Sequence, residues 1–183
     1  LITIEKLDEW KACGRRDSGM YSDEKLAIIF NGRQSLTPLE VLHLDIRMVD
    51  RLWVVLRRDV VGVEICARHR GVCADRVVEK YALCCGERNI EQWAKEWLSG
   101  VDRSMERLFL MMGLERVMTN SVIKLAIDVA MFSISSEKRS SWDTTVVARS
   151  VEWAAARENT IYAREAVEAE GQWQLDRLIE MLR

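Results

Sequence analysis

One proline, Pro38, serves all 183 residues of this chain, and only nine glycines accompany it. Proline normally makes up about 5% of a chain. An all-β chain needs tight turns every 8 to 12 residues or so, built largely from glycine, proline and asparagine. So little punctuation leaves long stretches that only a helical period can organise. The proline itself sits in "TPLE". There Thr37 can cap, Pro38 takes the first helical position, where its missing N–H costs nothing, and Glu40 closes a capping box. A helix is predicted to start at that point.

Further helices follow from apolar spacing and end signals. Ile4, Leu7 and Trp10 predict a short opening helix that stops near Gly14. Ser22 is placed to cap a second, with Leu26, Ile29 and Phe30 on its apolar face and Asn31–Gly32 as the stop. The helix from Pro38 is expected to break near Asp45. "LWVVL" lies within a helical rather than an extended run. A broad pattern from Val61 to Cys85, with a kink expected at Gly71, precedes "ERNIEQWAKEWLSG", which Gly100 ends. Asp102 is the expected cap of the next helix, and the pattern continues from Leu114 to Ile134. Ser140 or Ser141 is then expected to cap the longest helix, from Trp142 to about Glu170. Gly171 marks a weak point, and after it Leu175, Leu178, Ile179 and Leu182 make a final amphipathic segment. The fold class expected is all-α: one domain over residues 1–183, a multi-helix bundle with a long C-terminal helix and residues 1–34 as an N-terminal helical extension.

Composition narrows the function classes. Hydrophobic residues at 49% beside charged residues at 31% describe a globular chain. A net charge of −2 and a pI near 5.8 give no basic field, which argues against sequence-independent nucleic-acid binding. No run of about 18 apolar residues occurs, and the N-terminal stretch lacks the pattern of a signal peptide. Five cysteines, an odd number, fit a reducing compartment. A cytoplasmic location with no membrane association is the expectation.

The stretch closest to chemistry is "ICARHRGVCADR", with Cys66, His69 and Cys73. Thiolate and imidazole suit zinc, but on a straight helix Cys66 and Cys73 differ by about 10.5 Å in rise, whereas two thiolates on one zinc come within about 4 Å. The same separation exceeds the roughly 7 Å Cα limit of a disulfide. Neighbouring pairs, Cys66 with His69 or His69 with Cys73, remain possible ligands, as does a reactive thiol. The favoured reading is the inner face of a helix, since free cysteine is among the most buried residue types. Glu40 and His43 have the spacing of half a carboxylate-bridged di-iron site, but a second copy is missing. There is no G-x-S-x-G elbow and no Gly-rich phosphate loop. No catalytic residue, metal ligand or cofactor is therefore assigned.

Two basic clusters remain: Arg15 with Arg16, and the set Arg57, Arg58, Arg68 and Arg70. Guanidinium forks suit phosphate, so the four could hold a small anionic ligand such as a nucleotide. Pairing with Glu64, Asp59 and Asp17 on solvated helix faces is the plainer reading. Seven tryptophans are many for this length. Most belong in a core, while Trp153 and Trp173 on the C-terminal helix are candidates for an interface, where tryptophan is enriched.

Several stretches together resemble a known group. "SLTPLEVLHLDIRMVDRLWVVLRRDVV", "CARHRGVCADRVV", "ERNIEQWAKEWLSG" and "VEWAAARENTIYAREAVEAEGQWQLDRLIEML" resemble helical proteins of phage and bacterial genomes. Members share a Cys-Ala-rich helix, an "AIEAAEAWARG"-like helix and an alanine-rich tail in that order, and some are labelled immunity proteins of polymorphic toxin systems. The stretch from Phe109 to Ser141 is less alanine-rich than the group. The resemblance implies protein binding, transfers no catalytic residue, and makes the expected function that of a non-enzymatic, phage- or prophage-related protein that binds and neutralises or modulates a partner protein. Sequestration of a small anionic ligand is the alternative, and a homodimer is compatible with either.

Overall fold

Where helices are short, the chain supplies their ends. In the computed structural model, which describes residues 1–10, 21–83, 85–115, 121–134 and 163–183, Thr3 caps α1 (Ile4–Glu9) by accepting from the Lys6 amide. Ser22 caps α2 (Asp23–Phe30) on the Lys25 amide, and Asn31, left-handed at φ 48°, ends it. The box at α3 (Pro38–Leu42) is complete. The Thr37 amide donates to Glu40 Oε2 at 2.7 Å and the Glu40 amide to Thr37 Oγ1 at 3.2 Å. α4 (Met48–Val55) follows, so "LWVVL" is helical as expected.

The middle of the chain departs from the expected pattern in two places. α5 (Arg58–Val77) kinks at Gly62, where φ is 83° and ψ 165°, and not at Gly71. Gly62 adopts a backbone that side-chain-bearing residues avoid, whereas Gly71 stays helical. A π-helical turn, Val78–Ala82, then extends α5 toward Gly86. α6 (Arg88–Leu98) ends before Gly100, which has φ 74°. Ser104, not Asp102, caps α7 (Met105–Glu115): its Oγ accepts from the Arg107 amide at 3.2 Å. Asp102 instead accepts from the Ser104 amide at 2.9 Å, an Asx turn that sets up the cap.

α8 (Ser121–Ile134) and α9 (Ala163–Leu182) complete the described helices. α9 passes through Gly171 without a break, and that glycine is buried. Packing therefore outweighs the intrinsic cost of about 1 kcal/mol for glycine inside a helix. The expected span from Trp142 to Tyr162 lies outside the described residues. Among those described there is no strand, only an antiparallel bridge in which Ile2 and Leu36 exchange backbone hydrogen bonds at 2.8 Å. No described helix is long and apolar enough to cross a membrane.

Among the described residues two apolar clusters form the interior. One gathers Leu7, Leu26, Phe30, Leu42, Leu52 and Val55 from α1–α4, so the described part of the first 34 residues contributes to a core. The other gathers Val77, Trp93, Trp97, Leu108, Ile127 and Ala130 from α5–α8. α9 ties them together. Its Leu175 and Leu178 belong to the first cluster, while Trp173 packs against the second.

Candidate functional site

The cysteine–histidine stretch faces inward. Cys66, His69 and Cys73 are all buried, with Cys73 Sγ 3.7 Å from His69 Nδ1. Burial pushes the imidazole down to about 4, and the neighbouring Arg70 charge adds to the effect. The α9 backbone at Gln174 softens the shift, although Nε2 makes no well-formed hydrogen bond. The result is a neutral ring sealed against α9, out of reach of substrate. No group of three or more potential metal ligands occurs among the described residues. Glu40 and His43 part company: Glu40 serves the α3 cap and pairs with Arg33 at 2.5 Å, while His43 Nδ1 lies 2.7 Å from the Leu39 carbonyl. The Cys85 thiol is pushed up by burial, which disfavours the nucleophilic thiolate.

Of the four arginines, Arg68 alone lines the groove between α5 and α9. Arg57 is clasped between indoles, 4.2 Å from the Trp10 ring and 4.9 Å from Trp53, which meet edge to face at 6.4 Å. Its ion-pair partner is Asp59 at 3.8 Å. Arg70 is buried, and Arg68 is exposed on another side of the same helix. Two residues along a helix rotate the side chain by about 200°, so this separation is intrinsic to α5. Arg57 and Arg58 precede the Gly62 kink, and the other two follow it. Glu64 forms no ion pair among the described residues, and Arg15, Arg16 and Asp17 lie outside them.

What the structure does bring together is a polar groove of about 380 Å³ between α5 and α9. Arg68, Asp75, Arg76 and Glu79 line it from the α5 side, Trp173 and Arg177 from α9. Arg76 donates through Nε to the buried Glu170 at 2.6 Å and lies 4.2 Å over the Trp173 ring. Two partners thus hold one guanidinium. Asp75 accepts from Trp97 Nε1 at 2.8 Å and pairs with Arg103 at 3.1 Å, linking the groove to the second core. Of the interface candidates, Trp173 is half-buried in this groove, and Trp153 lies outside the described residues. Glu170 and Arg76 are 94 positions apart, a pairing no local pattern could signal.

A second surface lies on α7. Leu108 and Met111 are buried, whereas Phe109 is 59% and Leu110 61% exposed. With Glu106 and Gly113, also exposed, they repeat every three or four residues and form one outward stripe. Compared with protein-family models, with curated proteins and with solved structures, the chain finds no match in any of them.

Proposed function

We propose that this chain is a non-enzymatic helical binding protein that uses α7 to bind and neutralise or modulate a partner protein. The observation that carries the reading is the adjacent pair Phe109 and Leu110, two large apolar side chains more than half exposed on a helix whose opposite face is buried. Contiguous exposed apolar surface on a soluble fold marks interaction sites, and aromatic anchors dominate the binding energy of such interfaces. The sequence resemblance to immunity proteins supplies the class of partner, a toxin domain of a phage or bacterial system in the cytoplasm. The alternative, sequestration of a small anionic ligand by Arg57, Arg58, Arg68 and Arg70, retains only Arg68 in the α5–α9 groove.

The test is parallel capture by the immobilised wild-type chain and by the Phe109→Asp/Leu110→Asp variant, checked to unfold at the same temperature. A partner retained by the wild type and lost by the variant supports the reading. Equal recovery by both, or no specific partner from either, contradicts it.

A further inference from the structure

The α5–α9 groove ends in two charges that have no partner among the described residues. Arg68 stands at one end and Glu79 at the other, both exposed. The remaining ionic groups lining it are engaged: Arg76 with Glu170, Arg177 with Glu180, and Asp75 with Arg103. Arg68 and Glu79 are eleven positions apart, close to three helical turns, so they share a face and stand about 16 Å apart along the axis. Between them the face carries Gly71, Val72 and Asp75, all half-buried, and a Cβ added at Gly71 would meet open space.

We propose that this face is an interface between two copies of the chain. α5 of one copy lies antiparallel to α5 of the other about a two-fold axis, so that Arg68 of each meets Glu79 of its mate. An isologous contact requires that when one residue meets a second, the second also meets the first. Opposite charges equidistant from a midpoint satisfy that condition. In a parallel arrangement Arg68 would face Arg68 and repel it, so the charge pattern also sets the direction. In the antiparallel register Gly71 stands opposite Arg76, and the glycine leaves room for a guanidinium already held by Glu170 and Trp173. Trp and Arg are the residue types enriched where interfaces are strongest. Because the Arg68–Glu79 pairs sit at the exposed ends, the dimer is salt-sensitive.

Sedimentation equilibrium on the full chain tests this, with circular dichroism to confirm that each exposed substitution leaves the fold intact. The wild type is expected to dimerise at tens of micromolar and to weaken as salt rises. Arg68→Glu and Glu79→Arg should each lower the association constant by tenfold or more, because each leaves two like-charged contacts. An equimolar mixture of the two single variants should restore a heterodimer, since every contact then pairs unlike charges, and the double variant should dimerise with itself. A wild type that stays monomeric overturns the proposal, whether the groove takes a foreign peptide, a small ion or nothing. So does a dimer indifferent to both substitutions, or a mixture that fails to re-associate.

Discussion

The two cores of this protein are built by different means. Around Leu26, Phe30 and Leu52 the helices run five to eight residues, well short of the roughly 12 to 15 at which an isolated helix becomes marginal in water. α1, α2 and α3 each carry a side-chain N-cap, and α4 alone of the four has none. Around Trp93 and Trp97 the helices run eleven to twenty residues, and α5 and α6 begin without such a cap, although Ser104 caps α7. Short helices need their ends stabilised, because few of their hydrogen bonds lie within the helix. Long helices are held by the faces they bury. The first core also has a half-open, largely apolar pocket of about 60 Å³ beside Leu26, Phe30 and Val54, with Tyr21 and Asp50 in its wall. The tryptophans of the second pack at 6.0 Å from each other and are fully buried.

The largest expected effect separates the cores directly. Trp93→Ala should cost about 3–5 kcal/mol and Leu26→Ala about 2–3 kcal/mol in denaturant unfolding, because the larger ring leaves the larger hole. Equal losses would erase the distinction. His69 lies on the seam where α5 meets α9, and there acid is expected to act. Its folded value near 4 is below the ordinary 6.5, so the unfolded chain takes up the proton first. This contribution is intact above about pH 6.5 and is lost as pH falls toward 4, by roughly 3 kcal/mol at full extent. Thermal midpoints at pH about 7 and about 5 should therefore diverge more for the wild type than for His69→Gln.

Glu170→Ala removes the buried half of the other seam contact. Arg76 keeps part of its surface in water, so the loss is expected near 2 kcal/mol, below the full cost of stranding a buried charge. A loss under about 0.5 kcal/mol, the level of an ordinary surface substitution, would show that α9 is held by Leu175 and Leu178 alone. Thr37→Ala should cost about 1 kcal/mol by opening the capping box. Its effect should be confined to the first core, with Trp93 fluorescence unchanged.

What was legible in the sequence follows the same division. Ser22, Thr37 and Glu40, Asn31 and Gly100 mark helix ends through local hydrogen bonds and backbone freedom, and they lie where the pattern placed them. The inward face of Cys66 and Cys73 was legible from helical spacing. The choice between Gly62 and Gly71 as the kink was not, because both glycines permit one and local sequence does not distinguish them. Gly171 reads as a weak point in the helix until its burial is known. Asp102 and Ser104 are both good caps, and the geometry of the turn decides between them. The groove could not be read at all, since Arg76, Glu170 and Trp173 come together only when α9 returns to α5. The four arginines looked like one cluster because closeness in sequence is not closeness on a helix face.

Native-state hydrogen exchange of the intact chain, followed by mass spectrometry, tests the difference between the cores most directly, because protection reports the free energy of local opening. Amides of α6 and α8 are expected to exchange slowest, near the limit of global unfolding, with α1 to α3 opening at lower free energy once their caps fray. Protection in α1 to α3 equal to or greater than that in α6 would contradict it.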